Sequence, residues 1–205
     1  MISGYADKRR REFTASRRCA RKALAALGIT GFPLLPGPNR APMWPPSVVG
    51  SITHTDGCAD GYCGVVVADR RLTLGLGVDA EPNLPLPAEL WPRVLDDEER
   101  SDALAAVEPG THARLVFSAK ETTYKALYPA FGHFIEFSDV HIHVQYQEGV
   151  FFANLAGTAA GIGLAEQRLV GRLAVDNELI VTAMVLPAPG LPLALEALSL
   201  HHVSC

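Results

Sequence analysis

The chain has 205 residues, of which 48% are hydrophobic and 20% charged, and its formal net charge is −4. This length and composition predict a soluble protein with one generous domain or two small halves. Apolar runs stay below the roughly 18 residues that span a bilayer, and no apolar segment follows the basic N-terminus, so we expect neither a membrane protein nor an exported one. The four cysteines form no C-x-x-C pair, which favours reduced thiols and a cytoplasmic protein.

The basic side chains are concentrated near the N-terminus. Residues 1–22 contain eight Lys and Arg against two acidic residues, whereas the rest of the chain contains ten basic and twenty acidic residues. Hydrophobic periodicity predicts a helix over residues 7–27, ended by Gly28. Such a basic helix favours an anionic partner. Nucleic acid is disfavoured because the basic residues have no interleaved aromatic platform and the rest of the chain is acidic, while a phosphate clamp and a merely solvated helix face both remain open.

A loop rich in proline and glycine is predicted over residues 29–50, and three strands follow it. The first strand, 51–55, carries His54 between two threonines, a setting that suits contact with a phosphate or ribose; a structural role is the alternative. The strands 62–68 and 72–80 are separated by a short polar turn, so we predict that they form a hairpin.

Two carboxylates stand at the end of the last of these strands. Asp79 and Glu81 are separated by one residue, so both side chains point to the same face of the strand. Neighbouring carboxylates repel each other unless they are protonated or share a cation. A hard divalent ion such as Mg²⁺ or Mn²⁺ is the simplest partner, and exposure of both groups to water is the alternative.

A proline-rich connector over 82–92 is the predicted boundary between an N-terminal half, 1–90, and a C-terminal half, 91–205. The pattern beyond it predicts two helices, 95–107 and 111–128, and four strands, 137–147, 150–155, 167–176 and 179–186. Pro129 is expected to end the second helix. His141 and His143 share a strand face; an exposed face is favoured over a metal pair because no third ligand is apparent.

Each half thus places a helix before antiparallel strands. We predict an α+β fold with two pseudo-symmetric halves, each a helix packed on a small antiparallel sheet, and an active site at their interface.

The stretch FSAKETTYKA, residues 117–126, contains Glu121 and Lys125 one helical turn apart on the same face. Two simple structural interpretations are open. Ser118 and Glu121 fit an S-x-x-E capping box at a helix start, and Glu121 with Lys125 fits an ordinary surface ion pair.

Three stretches taken together resemble the phosphopantetheinyl transferases. GVDAE at 77–81 and FSAKETTYKA at 117–126 are similar to the two signature motifs of that family. Trp44-Pro45 and GSITHT at 50–55 resemble the upstream motif of its Sfp type, which includes enterobactin synthase component D. The basic helix with Arg9-Arg10-Arg11 is similar to actinobacterial members of that branch.

The resemblance implies transfer of the 4′-phosphopantetheine arm of coenzyme A to a serine of an acyl, peptidyl or aryl carrier protein, with release of 3′,5′-ADP. It implies a cytoplasmic monomer that acts in fatty acid, polyketide, nonribosomal peptide or siderophore biosynthesis, without nucleic acid or membrane partners. Asp79, Glu81 and Glu121 would hold the metal, Mg²⁺ or Mn²⁺. Glu121, directly or through a metal-bound water, would also be the base, and Lys125 would stabilise or protonate the departing phosphate. Contacts with coenzyme A are implied for Arg9, Arg17, Gly37, Arg40, Thr53, His54, Asp79, Glu121 and Lys125.

One departure from the family pattern concerns the loop before Trp44. Relatives carry a lysine where this chain has Pro36, and Arg40 is our candidate for the missing positive charge. Two other functions are weighed. A metal-dependent hydrolase of coenzyme A or a related nucleotide diphosphate would use the same acidic residues. A non-catalytic nucleotide-binding or carrier-binding module is disfavoured, because it would not need Glu121 and Lys125 on one helix face.

Overall fold

A computed structural model describes residues 2–37, 41–56, 61–132, 134–157 and 168–191, except for the side chains of residues 2–9. The described residues form four α-helices and seven β-strands. The helices are α1 (Ile2–Ala26), α2 (Trp91–Val94), α3 (Asp97–Ala105) and α4 (Pro109–Phe131). The strands are β1 (Val48–Thr55), β2 (Tyr62–Asp69), β3 (Thr73–Pro82), β4 (Val140–Gln145), β5 (Val150–Leu155), β6 (Leu169–Val175) and β7 (Leu179–Pro187).

The strands form two antiparallel sheets. β1 and β2 make a two-stranded sheet on which α1 packs. The other five strands follow the order β3-β7-β6-β5-β4, and α4 packs against β3 and β7. This mixture of helices and antiparallel sheets confirms the predicted α+β class. The chain crosses between the two predicted halves, because β3 of the first pairs with β7 of the second.

The predicted hairpin of strands 62–68 and 72–80 is wrong. β2 pairs instead with β1, so that His54 lies opposite Cys63. β3 belongs to the larger sheet. It follows a turn in which the Asp69 carboxylate accepts hydrogen bonds from the backbone and guanidinium of Arg71. The two β-rich runs were correctly predicted as strands, but their composition carries no information about which neighbour each strand pairs with.

Side chains join the two sheets where a backbone ladder would otherwise be expected. The Ser51 hydroxyl accepts a hydrogen bond from the Val78 N–H at 3.1 Å, and the Thr53 hydroxyl accepts one from the Ala80 N–H at 2.9 Å. These two hydroxyls accept hydrogen bonds from buried N–H groups of β3 that point away from β7, the strand that pairs with the opposite edge of β3. The seam therefore fixes β1 beside the carboxylate end of β3.

Two glycines allow α4 to lie unusually close to β3. A Cβ added to Gly77 would collide with the backbone oxygen of Thr122, and one added to Gly75 would collide with the backbone oxygen of Ala126. Four helical residues advance about 6 Å and two strand residues about 6.6 Å. The two spacings nearly match, so that each of the two glycines of β3 lies opposite a backbone carbonyl of α4, which runs in the opposite direction.

The helix α4 extends beyond both predicted ends. It starts at Pro109 and continues through Pro129 to Phe131, where Gly132 adopts a left-handed conformation (φ 68°) and its N–H donates to Tyr128. The prediction that Pro129 ends the helix is therefore wrong, because the left-handed glycine provides the stop. Ser118 lies in the middle of the helix, which excludes the capping-box interpretation.

The acidic helix α3 is shorter than predicted and has a cap of its own. The Asp96 carboxylate accepts from the backbone N–H of Glu99, and the Glu99 carboxylate accepts from that of Asp96. Glu99 is nevertheless fully buried and pairs with the Lys120 ammonium at 2.7 Å. A capping box and a buried ion pair therefore share one carboxylate.

The cysteines depart from the expectation of reduced thiols. Cys19 on α1 is disulfide-bonded. Cys63 has a free thiol, whose pKa is raised by burial, 3.9 Å from the Ser16 hydroxyl. Among the described residues, no helix is long and apolar enough to cross a membrane.

Candidate active site

Asp79 is the centre of the candidate site. Its side chain is 5% exposed, and one carboxylate oxygen lies 2.6 Å from the Lys125 ammonium. The other oxygen accepts a hydrogen bond of 2.9 Å from the Ser118 hydroxyl, and the Thr53 hydroxyl lies 3.3 Å from the first. Side chains from α4 and β1 therefore converge on this carboxylate, and its buried charge is compensated.

Glu81 lies two residues further along β3 and has a cation of its own. Its Oε2 accepts a hydrogen bond of 2.8 Å from the Arg114 guanidinium of α4. Burial and the charge of Asp79 raise the pKa of Glu81, and the guanidinium opposes this rise. A further positive charge at this point would be favourable for both carboxylates.

Glu121 is half-buried on α4, one turn before Lys125. Burial raises its pKa, Lys125 counteracts the shift, and the charge of Asp79 adds to it. Glu121 thus lies within electrostatic reach of both groups. The three carboxylates offer the oxygen donors that a hard divalent cation prefers, and their three negative charges are accompanied by two cations, Arg114 and Lys125.

A cavity of about 660 Å³ opens beside Asp79. It is within the size range of small-molecule sites. It is lined by residues of α1, the proline-rich loop, β1, β3 and α4: Glu12, Phe13, Ser16, Arg17, Pro36, Pro42, Ile52, Thr53, His54, Asp79 and Lys125. The sequence-predicted residues Arg17, Thr53, His54, Asp79 and Lys125 are therefore brought together at one site.

The α1 wall of the cavity carries positive charge over an aromatic ring. The Arg17 guanidinium lies 4.3 Å from the centre of the Phe13 ring. Its Nε is buried and has no hydrogen-bond acceptor among the described residues, and burial lowers the pKa of Arg17. Across the cavity, the His54 ring lies 4.0 Å from the Glu12 carboxylate.

The remaining predicted residues lie outside this wall or cannot be placed. Gly37 adjoins Pro36, and its N–H donates to Ala41. The side chain of Arg9 and the whole of Arg40 lie outside the described residues. Thr53, by contrast, does line the cavity, but it is buried, and its hydroxyl is occupied by the Ala80 N–H and the Asp79 carboxylate.

A second acidic group lies away from the cavity. Asp96, Glu99 and His141 are the one set of three His, Cys, Asp or Glu residues in the described part of the chain whose candidate ligand atoms all lie within 4.8 Å. His141 approaches Asp96 at 2.7 Å, so the prediction of an exposed strand face holds for His143 alone. The carboxylates of Asp79, Glu81 and Glu121 are spread more widely and would have to converge on an ion.

Sequence reasoning missed two contributors to the site. Arg114 and Ser118 precede Glu121 by seven and three residues on the same helix face. The 3.6-residue period contained this signal, because positions 114, 118, 121 and 125 form one stripe. The residues of β3 that this stripe contacts could not be predicted, because the sequence does not show how α4 packs on β3.

Comparisons with known proteins agree with these motifs. The model of the 4′-phosphopantetheinyl transferase N-terminal domain matches residues 1–68, and that of the 4′-phosphopantetheinyl transferase superfamily matches residues 75–171. The 4′-phosphopantetheinyl transferase Svp of Streptomyces mobaraensis is 42% identical over 193 residues, which cover 92% of this chain and 76% of that protein.

Two further relatives extend the comparison. The 4′-phosphopantetheinyl transferase PptT of Mycobacterium tuberculosis is 37% identical over 194 residues, 91% of this chain and 83% of its own. Enterobactin synthase component D of Salmonella typhimurium is 35% identical over 120 residues, 58% of this chain and 48% of its own. None of these matches supports the hydrolase alternative. The chain belongs to the 4′-phosphopantetheinyl transferase superfamily, enzymes that transfer phosphopantetheine from coenzyme A to carrier proteins with the help of a divalent metal.

Proposed function

We propose that this protein transfers the 4′-phosphopantetheine group of coenzyme A to a serine of an acyl, peptidyl or aryl carrier protein, releases 3′,5′-ADP and depends on Mg²⁺. The observation that carries the proposal is the contact of 2.6 Å between Asp79 and Lys125 on the cavity wall, with Glu121 one turn away. Such a site combines a metal ligand, a base and a cation for the leaving group.

Coenzyme A is proposed to occupy the cavity between the N-terminal half, 1–90, and the C-terminal half, 91–205. Arg17 and His54 supply positive or hydrogen-bonding groups there, and the buried Nε of Arg17 lacks an acceptor within the described residues. An unsatisfied guanidinium donor favours an anionic ligand. Both sides of the cleft come from one chain, which supports the proposal that the protein acts as a monomer. A cytoplasmic location is part of the same proposal.

The metal is proposed to be held by Asp79, Glu81 and Glu121. When bound, Mg²⁺ would neutralise charge on the pyrophosphate oxygens of the substrate. Ser118 would keep the Asp79 carboxylate oriented through its 2.9 Å hydrogen bond. Lys125 would exchange part of its contact with Asp79 for the phosphate of the leaving group, since its side chain is 25% exposed toward the cavity.

Glu121 is proposed as the group that accepts the proton of the carrier serine. Its half-buried carboxylate lies one turn before Lys125 and within electrostatic reach of Asp79, and it would take the proton directly or through a water molecule. The base and the cation Lys125 lie one helical turn apart on α4, so one rigid element positions both relative to the bond that breaks.

The roles are tested by single-turnover kinetics of Glu121→Gln and Lys125→Ala with coenzyme A, Mg²⁺ and an apo carrier. Both variants should lose at least about a hundredfold in rate and retain wild-type circular dichroism. Glu89→Gln, at an exposed glutamate away from the cavity, is the matched control and should react normally. Near-wild-type rates for either site variant would contradict its role, and pantetheine phosphate released into solution without a carrier would favour hydrolysis.

A further inference from the structure

Arg114 is bound on all sides at the point where β3 ends. Its NH1 donates to Glu81 Oε2 at 2.8 Å, its Nε to the Leu84 carbonyl at 3.2 Å and its NH2 to the Pro85 carbonyl at 3.1 Å. The side chain is only 15% exposed. The planar guanidinium thus uses three donors in fixed directions, which an ammonium group cannot reproduce.

These bonds determine how the end of β3 lies against α4. Two of the acceptors are backbone carbonyls just beyond the strand, so the guanidinium holds that segment to the helix that carries Glu121. The third acceptor is one carboxylate oxygen of Glu81. The other oxygen, Oε1, has no hydrogen-bond donor among the described residues and is left available to a ligand.

We propose that Arg114 is a positioning residue for the metal: it fixes the rotamer of Glu81 so that Oε1 is presented beside Asp79. This inference rests on the proposed assignment of Asp79, Glu81 and Glu121 as metal ligands. A group that orients a metal-binding carboxylate by a hydrogen bond typically changes metal affinity by about tenfold to a hundredfold when it is removed.

Charge and geometry make opposite predictions for this residue. As a mere positive charge next to Glu81, Arg114 would repel a divalent cation, and its removal would tighten metal binding. As a geometric clamp, it would strengthen binding, and lysine would not replace it. Arg114→Lys keeps the charge and loses the three-way contact, so it separates the two effects.

The test is Mn²⁺ binding, followed by the electron paramagnetic resonance signal of the free ion, with saturating coenzyme A and without it. Wild type, Arg114→Met, Arg114→Lys, Glu81→Gln and the double variant Arg114→Met/Glu81→Gln are compared. Arg93→Met, at an exposed arginine of α2, is the matched control. All measurements are made well below the thermal midpoint of each variant, so that loss of folding does not enter.

We expect both Arg114 variants to bind Mn²⁺ about tenfold more weakly, the Arg93 variant to bind normally, and Arg114→Met to add no loss in the Glu81→Gln background. Wild-type binding by Arg114→Lys, tighter binding by Arg114→Met, or an equal loss in the Glu81→Gln background would each overturn the inference. If Glu81→Gln itself binds normally, the ligand assignment of the proposed function fails. If Glu81→Gln binds weakly and Arg114→Met normally, only the present inference fails.

Discussion

Replacing Lys120 by methionine should destabilise the protein strongly. Lys120 is 1% exposed, and its ammonium donates to the Glu99 carboxylate at 2.7 Å and to the carbonyls of Val94 and Phe137 at 2.8 and 2.9 Å. Methionine fills a similar volume but leaves the Glu99 charge buried without a cation. The perturbation therefore removes one partner of a fully buried pair.

The expected cost follows from the nature of that pair. Removing one partner of a buried ion pair typically costs about 3–5 kcal/mol, because the remaining charge is uncompensated. At about 2–4 °C per kcal/mol for a chain of this size, the thermal midpoint should fall by roughly 6–20 °C. The double variant Lys120→Met/Glu99→Gln removes the charge as well and should recover part of this loss.

The loss should also depend on pH. Burial raises the pKa of Glu99, and Lys120 opposes this, so the pKa should rise further without Lys120. A carboxyl with a raised folded-state pKa binds more protons in the folded than in the unfolded state, so its stability contribution falls as pH rises through that interval. The destabilisation by Lys120→Met should therefore grow from about pH 5 to about pH 7.

Urea unfolding at both pH values measures these free energies. If the free energy of unfolding of Lys120→Met near neutral pH lies within about 1 kcal/mol of the wild-type value, the prediction is wrong, since a buried unpaired carboxylate costs more than that. A destabilisation that does not change with pH would show that lost packing, rather than the charge of Glu99, is responsible.

Three further predictions concern the site. Gly77→Ala should destabilise the fold by about 1–3 kcal/mol in urea unfolding and reduce activity, because its Cβ would meet the Thr122 carbonyl; a loss below about 0.5 kcal/mol would contradict this close approach. Lys125→Ala should lower kcat by about 10²–10³-fold; because it also leaves the buried Asp79 carboxylate without its cation, the thermal midpoint should fall, so kcat is measured well below that midpoint. An unchanged kcat would contradict its role. Because burial raises the pKa of Glu81 and Glu121, Mn²⁺ affinity should decline with falling pH before ordinary glutamates titrate; a pH-independent affinity down to the ordinary glutamate range would be the contrary result.

Much of the fold could be predicted from local pattern alone. The strands 150–155 and 179–186 and the helix that carries Glu121 were placed within a few residues, because hydrophobic period and turn residues are local signals. Strand partnership was not, because β2 could have paired with β3 by length and polarity. In the structure β2 pairs with β1, and β1 meets β3 through side chains such as Thr53, whose hydroxyl accepts a hydrogen bond from the backbone of β3.

The candidate site was predicted in part. Asp79 and Lys125 are in contact, although they lie 46 residues apart in sequence. The resemblance of their two motifs to one family suggested this contact. The family comparison could not reveal that the α4 stripe continues to Arg114, or that Lys120 in the same motif faces the interior rather than the cavity. Those features depend on which helix face packs against which strand, which a single sequence does not determine.

We propose above all that this chain itself transfers phosphopantetheine to carrier proteins through Glu121. The most direct test is mass spectrometry of apo acyl, peptidyl and aryl carriers after incubation with the protein, coenzyme A and Mg²⁺, with Glu121→Gln alongside. We expect at least one carrier to gain the mass of a single phosphopantetheine group on its serine with wild type and to remain unmodified with Glu121→Gln. Carriers left unmodified by a folded wild-type protein, or modified equally by both proteins, would contradict it.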